Sequence, residues 1–340
     1  MNLYAVILAG GASSRFWPLS GDEHPKYLLK PDGKRTLLEH AFERAKACTS
    51  PDRILVVTNP AQVRRVAETL PDLLAENLCI EPARRDTAAA IALSCRVLAS
   101  RDPNAQVLVL PADQIIEPVS ALAEAVRKAR EQKDFGEYLH VFGIKPRRAE
   151  AGYGYIKADQ CFSPGLCRVV GFREKPDAAT AQRYASDGLH YWNAGCLLFA
   201  ISAFERELAS HMPSHSRRLH PAEGEVDQAA YKDLEAVSID YGVLEKTKAL
   251  RMIQLEAEFD DIGTWDALLA RLEKLGVPPR AAFSVAGGSG NLVIGGGELV
   301  GVAGLSDVLV VIEGKKVLVL KRGSGQAVKE IARVVGETTA

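Results

Sequence analysis

The sequence lacks the features that mark nucleic-acid-binding, membrane and secreted proteins. Lysine plus arginine number 42 against 43 aspartate plus glutamate, so the net charge is −1 and no overall field favours nucleic acid or an anionic membrane. No apolar run approaches the roughly 18 residues that span a bilayer. The amino terminus also has no basic start before its short apolar run, unlike a secretory signal peptide. We therefore expect a cytoplasmic protein without nucleic-acid or membrane partners.

Cysteine is scarce, and several well-known nucleotide and catalytic motifs are missing. The six cysteines include no Cys-x-x-Cys pair, which argues against a metal cluster, and we expect reduced thiols that lie mostly in the core. Gly-x-x-x-x-Gly-Lys-Ser/Thr and Gly-x-Gly-x-x-Gly do not occur, which excludes a Walker A loop and the dinucleotide fingerprint. No Gly-x-Ser-x-Gly elbow occurs either.

The amino-terminal stretch from Val6 to Leu29 carries the strongest functional signal. Leu3 to Leu8 is predicted to form a buried strand, and Gly10-Gly11 follow it. Glycines let the backbone turn tightly and approach a ligand, and successive N–H groups in such a turn bind anions. Arg15 and Lys26 add cations suited to phosphate. The stretch predicts a polyphosphate site, and an ordinary strand-to-loop turn with surface cations is the alternative.

The order of predicted elements indicates the fold. A helix over 36–47 with Thr36 as N-cap, a strand over 53–58, a helix ending near 70 and strands over 105–110 and 139–144 alternate along the chain. We expect an α/β catalytic domain over residues 1–275, with a Rossmann-like, doubly wound, mixed but mostly parallel sheet.

The composition changes beyond a predicted linker at 276–280. Glycines become frequent, and short β runs recur at 291–294, 298–303, 307–312 and 316–320. This spacing predicts a small β-rich domain over 281–340, similar to a short β-helix and ending in a helix at about 326–335. Because an exposed strand edge favours self-association, a homodimer is an open option.

Polar residues follow several of the predicted strands. Glu81 comes directly after a strand that ends at Ile80, and Asp86 or Thr87 is expected to cap an alanine-rich helix. A helix N-terminus at the carboxyl edge of a sheet suits an anion or a base, and a carboxylate there can accept two N–H bonds from guanine. The alternative is a capping motif with solvated arginines.

Two later positions offer carboxylates for a metal. Asp113 follows the strand over 105–110, where α/β sheets bind ligands, and a turn aspartate is the alternative. Asp260-Asp261 precede a glycine turn and also suit a metal. Asp261 could instead cap the helix predicted over 265–275, while Asp260 is expected to be solvated.

Four further motifs place glycine or polar residues at or near predicted strands. Gly154 lies where a sugar ring could approach the backbone, and Glu174-Lys175 could bind a hydroxyl and a phosphate or simply form an edge-strand ion pair. Asn193 is an amide in a buried strand and needs partners, either a sugar hydroxyl or a loop carbonyl. Asp240 is either a hydroxyl acceptor or a helix cap.

Taken in order, these motifs resemble those of the sugar-1-phosphate nucleotidyltransferases. Leu-Ala-Gly-Gly-x-x-x-Arg followed by Pro-Lys resembles the family signature, and its Phe16–Ser20 segment is similar to the mannose-1-phosphate guanylyltransferase branch. The segment over 81–91 and Ser-Ile-Asp-Tyr over 238–241 resemble the same branch, and Phe-x-Glu-Lys-Pro over 172–176 is a family hallmark. Ser13-Ser14 stands where the family usually has Gly-Thr, and Gln114 stands where it usually has histidine.

The resemblance implies transfer of GMP from GTP to α-D-mannose 1-phosphate, with release of pyrophosphate and Mg²⁺ as cofactor. The implied catalytic residues are Arg15, Lys26, Asp113 and Asp261, of which the two aspartates hold Mg²⁺. The implied nucleotide-binding residues are Leu8, Ala9, Gly10, Gly11, Glu81, Arg84, Thr87, Ala88, Pro111 and Asp113. The implied sugar-phosphate-binding residues are Gly154, Glu174, Lys175, Asn193 and Asp240.

Two other functions stay open at this point. One is a guanylyltransferase for a different sugar, such as a heptose phosphate. The other is a non-catalytic nucleotide-sugar-binding paralogue that regulates a partner protein.

Overall fold

The structure is a computed structural model, and it describes residues 1–11, 14–19, 21, 24–163, 165–219, 227–277, 283–286, 288–295 and 299–339. Ser13 and the predicted linker from residue 278 onward lie outside the described residues. Among the described residues, no helix combines the length and the apolar character needed to cross a membrane.

The described strands and helices have the following bounds. The strands are β1 (Leu3–Leu8), β2 (Ile54–Thr58), β3 (Leu78–Ile80), β4 (Gln106–Pro111), β5 (Gln114–Glu117), β6 (Leu139–Ile144), β7 (Tyr155–Ser163), β8 (Leu166–Arg173), β9 (His190–Ala200), β10 (Leu250–Gln254), β11 (Glu258–Asp261), β12 (Phe283–Ala286), β13 (Leu292–Gly295), β14 (Val300–Ala303), β15 (Val308–Glu313) and β16 (Lys316–Lys321). The helices are α1 (Leu37–Lys46), α2 (Val63–Thr69), α3 (Asp86–Arg101), α4 (Val119–Arg130), α5 (Ala178–Ser186), α6 (Ile201–His211), α7 (Pro213–Arg218), α8 (Gln228–Lys232), α9 (Trp265–Lys274) and α10 (Val328–Thr339).

The largest described sheet has nine strands in the order β3-β2-β1-β4-β9-β6-β10-β8-β7. β9 runs antiparallel to β4 and β6, and β8 runs antiparallel to β10 and β7, while the remaining strands share one direction. All residues of β2 are buried, as expected for a strand covered on both faces. The sheet confirms the predicted α/β class with a mixed, mostly parallel sheet.

The chain divides into two compact units that are not continuous in sequence. The first comprises Met1–Gly10, Ala41–Ala112 and Ile116–Phe259, and it holds the nine-stranded sheet. The second comprises Gly11–His40, Asp113–Ile115 and Asp260–Ala340. The second unit therefore joins the amino-terminal loop to the carboxyl-terminal strands. The linear division into 1–275 and 281–340 stays a prediction.

The carboxyl-terminal region is β-rich, as the sequence predicts. β12 pairs in parallel with β14, β13 pairs in parallel with β15, and β16 closes the second sheet as an antiparallel edge strand. Pairing of a strand with the second one along the chain is the arrangement of a short solenoid. Gly295 turns at φ +108° and any Cβ there would collide with the Ile312 carbonyl, so glycine is required at this position.

The start of α1 follows its predicted signal. Thr36 Oγ1 accepts the N–H of Glu39 at 3.1 Å, and the Glu39 carboxylate accepts the N–H of Thr36 at 2.6 Å. This reciprocal pair is a capping box, which satisfies two N–H groups at a helix start.

Candidate active site

The amino-terminal loop begins where β1 ends. The Ala9 N–H donates to the Val57 carbonyl at 2.8 Å, and the Ala9 carbonyl accepts the Thr58 hydroxyl at 2.9 Å. The next residue is Gly10, where an added Cβ would lie 2.9 Å from Glu81 Oε1. The backbone at Gly10 thus passes close to the buried Glu81 carboxylate, and a larger residue at position 10 would displace that carboxylate.

Gly11, the chain neighbour of Gly10, belongs to the second unit and has φ +143°. Ala12 and Ser13 are outside the described residues, and the chain resumes as a short 3-10 turn over Ser14–Phe16. Leu8 and Pro111 lie opposite each other at the ends of the parallel strands β1 and β4. The loop that carries Gly10 and Gly11 therefore starts at the end of β1, and Asp113 follows the adjacent end of β4.

Lys26 lies between two carboxylates in the second unit. Its Nζ is 2.5 Å from Asp113 Oδ2 and 3.8 Å from Asp261 Oδ1. Burial alone would lower the pKa of Lys26, but Asp113 and Asp261 outweigh it and raise the pKa above its usual value. Lys26 is therefore a permanent cation at neutral pH, held at two acidic side chains by opposite charge.

Arg15 approaches the same place. A Cβ added at Gly263 would lie 3.8 Å from Arg15 Nη1 and 3.6 Å from Asp261 Oδ1, so both groups face Gly263. The Arg15 charge also opposes the rise in the Lys26 pKa. The structure thus brings together Arg15, Lys26, Asp113 and Asp261, which are far apart in sequence.

The alternative roles for the paired aspartates are resolved by their surroundings. Thr264, rather than Asp261, caps α9, because its hydroxyl accepts the Ala267 N–H at 3.3 Å. The prediction that Asp260 is solvated is wrong in part, since its Oδ2 lies 3.3 Å from Nη1 of the buried Arg271. A buried guanidinium needs such a partner, so neighbouring carboxylates have different surroundings.

The carboxylate of Glu81 belongs to a buried pair. The backbone N–H of Glu81 donates to the Thr58 carbonyl at 2.8 Å, and the side-chain Oε2 accepts the Tyr231 hydroxyl at 2.9 Å. Burial raises the pKa of Glu81 to about 7, against the opposing effects of Tyr231 and Arg84. Glu81 therefore changes its charge close to neutral pH.

The start of α3 differs from its prediction. The helix begins at Asp86, whose φ is +64° and whose carboxylate accepts the adjacent Thr87 N–H at 2.7 Å. Thr87 does not cap the helix: its hydroxyl accepts the Ile239 N–H at 2.9 Å. The Ala88 N–H donates to the Val237 carbonyl at 3.3 Å. The expected Thr87 cap is wrong, because its hydroxyl binds Ile239, and the Ala88 N–H is taken by Val237. Of the two predicted candidates, the Asp86 side chain is the one that binds an N–H at the helix start.

The predicted sugar-side residues also meet in the first unit. Asn193 Nδ2 donates to Asp240 Oδ1 at 3.1 Å, and Asn193 Oδ1 accepts the Gly195 N–H at 3.1 Å. The partners of the Asn193 amide are therefore the Asp240 carboxylate and the N–H of Gly195 in the same strand. Burial and the nearby Glu174 charge raise the pKa of Asp240 to about 7.

Glu174 completes this group. A Cβ added at Gly154 would collide with Glu174 Oε2 and lie 3.3 Å from the Asn193 Cβ, so glycine leaves room for the carboxylate. Lys175 Nζ lies 2.8 Å from Glu174 Oε1, and the lysine side chain is 55% exposed. The predicted edge ion pair is thus present, and Lys175 retains access to solvent. The hydrogen bond from Ile239 to Thr87 directly links the predicted sugar-side motif to the predicted nucleotide-side motif.

Some functional neighbours were not identified from the sequence. Tyr231, the partner of Glu81, lies in a polar segment, and no local pattern marks it. Glu245 accepts the Glu174 N–H at 2.9 Å, and its place within Ser-Ile-Asp-Tyr-Gly-Val-Leu-Glu was the available signal. Cys161 and Cys167 form a disulfide between β7 and β8, which corrects the expectation of reduced cysteines. The other four cysteines are free thiols.

Comparisons with known proteins give the family. Residues 4–276 match the family described as nucleotidyl transferase. Mannose-1-phosphate guanylyltransferase RfbM of Salmonella typhimurium is 36% identical over 79% of this chain, which spans 58% of the length of that relative. Alginate biosynthesis protein AlgA of Pseudomonas aeruginosa is 33% identical over 96% of this chain and 71% of its own length.

A solved structure shows the same overall architecture. The Thermus thermophilus protein described as mannose-1-phosphate geranyltransferase has a TM-score of 0.84 and 31% identity, over 99% of this chain and 100% of its own. The resemblance seen in the ordered motifs is therefore confirmed. The chain belongs to the nucleotidyl transferase family.

Proposed function

We propose that this protein transfers GMP from GTP to α-D-mannose 1-phosphate, giving GDP-mannose and pyrophosphate. The observation that carries the proposal is the convergence of Arg15 and Lys26 with Asp113 and Asp261. Two cations and two carboxylates suit a reaction in which charged phosphates must be held against one another. The relative named a mannose-1-phosphate guanylyltransferase supports the choice of substrates.

The reaction needs no protein nucleophile. An oxygen of the sugar phosphate forms a bond to the α-phosphorus of GTP, and the bond from that phosphorus to the bridging oxygen of pyrophosphate breaks in line. A phosphate monoester is already ionised at neutral pH, so no general base is required. Catalysis then consists of positioning and charge stabilisation, with Arg15 and Lys26 facing the phosphoryl oxygens and the departing pyrophosphate.

The donor set fits Mg²⁺. Asp113 and Asp261 converge on one point, since both lie close to Lys26 Nζ. Among the described residues no group of three or more His, Cys, Asp and Glu side chains could hold a metal ion. Mg²⁺ commonly uses one or two carboxylates and completes its shell with water and substrate phosphates. Bound at this pair, Mg²⁺ would supply positive charge to the reacting phosphates.

Base selection falls to Glu81. Ionised, its carboxylate can accept both the N1–H and the 2-amino N–H of guanine, whereas adenine presents an acceptor at N1. Gly10 and Gly11 leave the loop backbone open to phosphate. Leu8, Ala9, Arg84, Thr87, Ala88 and Pro111 complete the proposed nucleotide site.

On the sugar side, we assign hydroxyl recognition to Glu174, Asn193 and Asp240, with Gly154 leaving room for the ring. Lys175 suits the sugar phosphate because its charge reaches solvent beside Glu174. A homodimer and a cytoplasmic location stay predictions.

The test is pyrophosphate release from a grid of substrates in the presence of Mg²⁺. GTP, ATP, UTP and dTTP are crossed with the 1-phosphates of mannose, glucose, N-acetylglucosamine and a heptose. Release confined to GTP with mannose 1-phosphate is the expected result. GTP turnover with another sugar phosphate instead would show that the assigned sugar is wrong, and with it the roles given to Gly154, Glu174, Asn193 and Asp240. GTP binding without turnover on any sugar would contradict the enzymatic assignment and favour a regulatory paralogue.

A further inference from the structure

Tyr231 is a buried group that the proposed mechanism does not use. It lies in α8 with 0% exposure, and its hydroxyl donates to Glu81 Oε2 at 2.9 Å. Glu81 is 5% exposed. A buried carboxylate held by one neutral donor is costly to ionise, so this contact is unlike a chance surface pair.

A second contact ties α8 to the same motif. Arg85 Nε donates to the Lys232 carbonyl at 2.8 Å, and Lys232 is the last residue of α8. Helix α8 is therefore hydrogen-bonded to both end residues of the segment 81–85, Glu81 and Arg85. The Tyr231 hydroxyl is held at a fixed place relative to Glu81 by these two contacts.

The other carboxylate oxygen faces the loop after β1. A Cβ at Gly10 would lie 2.9 Å from Glu81 Oε1, so this oxygen borders the backbone that we assign to the nucleotide. With Oε2 held by Tyr231, rotation of the carboxylate about its last bond is restrained. Each oxygen retains an acceptor site, because a carboxylate oxygen has two.

We propose that Tyr231 is a positioning residue for base selection. By holding Oε2, it fixes the plane of the Glu81 carboxylate so that both oxygens meet the two N–H groups of a guanine edge. This inference rests on the proposed function of Glu81 and assigns part of its selectivity to α8. Tyr231 touches the carboxylate and not the reacting atoms.

The pKa of Glu81 provides a second way to detect the positioning role of Tyr231. Groups that act on its charge come from three elements: Tyr231 from α8, Arg84 and Asp86 from the motif segment and the start of α3, and Cys79 from β3. Burial raises the pKa of Cys79 to about 12, so its thiol is neutral near pH 7. Burial raises the pKa of Glu81 to about 7, and the Tyr231 bond opposes that rise. Without the bond, the pKa of Glu81 should rise further.

The experiment is kcat/KM for GTP, ITP and ATP with Tyr231→Phe, which keeps the ring in the core. ITP retains the N1–H of guanine but lacks the 2-amino group. We expect kcat/KM for GTP to fall about tenfold, as for one lost hydrogen bond, chiefly through KM, with a smaller GTP/ITP ratio. The fall in GTP use on acidification should begin at a higher pH than in the wild type. The KM for the sugar phosphate should be unchanged.

Controls separate this role from a general loss of stability. Tyr138→Phe removes the hydroxyl that interacts with Arg251 and should leave the GTP/ITP ratio unchanged. In a double-mutant cycle, Tyr231→Phe should have no further effect on this ratio in a Glu81→Ala background. An unchanged GTP/ITP ratio in Tyr231→Phe, or an equal loss for all three nucleotides, would overturn the positioning role alone. A wild-type enzyme without preference for GTP would overturn the proposed function as well.

Discussion

At the scale of single residues, the proposed chemistry depends on one lysine placed against two carboxylates. Lys26 follows Pro25, whose φ is −66°, and begins a short 3-10 turn. The rigid residue and the turn fix where the lysine stem starts. The acidic partners keep the ammonium charged despite its burial. A cation positioned in this way can meet phosphoryl oxygens without reorganisation during the reaction.

We expect Lys26→Ala and Asp261→Ala each to lower kcat by about 100-fold or more, the loss typical of one preorganised electrostatic group. Lys26→Arg should also lower kcat, because the planar guanidinium does not replace the compact ammonium charge between two carboxylates. Steady-state pyrophosphate release measures the effect. The exposed Lys30 gives the matched control Lys30→Ala, which should be near normal. Near-normal turnover in Lys26→Ala or Asp261→Ala would refute the role assigned to that residue.

At the scale of elements, the carboxyl-terminal helix α10 supports the turn that carries Arg15. α10 packs against the Ser14–Phe16 turn that carries Arg15. Phe16 also packs edge-on against Trp265 at 5.2 Å between ring centroids. Asp266, the next residue, accepts the N–H groups of Gly323 and Gly325 at 2.6 and 2.9 Å. Within the second unit, residues beyond 320 thus contact both the Ser14–Phe16 turn and the start of α9, which packs against Phe16.

Val328→Asp tests this support. Val328 is 0% exposed in α10, and burial of an isolated charge costs several kcal/mol, so the helix should detach. We expect kcat to fall about tenfold or more, because the Arg15 turn loses its packing, and proteolysis within α10 should become faster. Lys329→Asp places the same carboxylate at an exposed neighbour and should change neither kcat nor the rate of proteolysis. Faster proteolysis with full activity would contradict the supporting role of α10.

The sequence predicts elements better than it predicts contacts between them. β1, β6 and the Thr36 cap follow from local patterns, and their observed positions agree with the predicted ones to within one residue. Partners such as Tyr231 for Glu81 and Arg271 for Asp260 depend on tertiary packing and leave no local signal. The Cys161–Cys167 disulfide depends on the β7–β8 register, and cysteine spacing alone did not indicate it.

At the scale of the whole molecule, the carboxyls of the buried Glu81 and the half-buried Asp240 link stability to pH. Glu81 and Asp240 both have pKa values raised to about 7, mainly by burial. Between the ordinary carboxyl pKa and pH 7, the folded protein binds more protons at these sites than the unfolded chain. Their contribution to the free energy of unfolding therefore falls as pH rises through this range. The buried His140, with its pKa lowered by burial to about 4, acts in the opposite direction.

Asp240→Asn isolates one of these groups. The amide can still accept from Asn193 but carries no charge, so at pH 8 the free energy of unfolding should rise by on the order of 2 kcal/mol. The difference from wild type should shrink as pH falls from 7 toward 4. Thermal unfolding across this range measures it. Asp159→Asn removes an exposed carboxylate paired with Arg168 and should give no such gain. A destabilised Asp240→Asn at pH 8 would contradict the assigned shift.

The most direct test of the central claim follows the phosphorus atoms of GTP. Wild-type protein is incubated with mannose 1-phosphate and Mg²⁺, once with GTP labelled at the α-phosphate and once with GTP labelled at the γ-phosphate. Attack of the sugar phosphate on the α-phosphorus predicts α-label in GDP-mannose and γ-label in pyrophosphate, with both products missing in Lys26→Ala. Label from the γ-phosphate in the sugar product, or equal product formation by Lys26→Ala, would contradict the account.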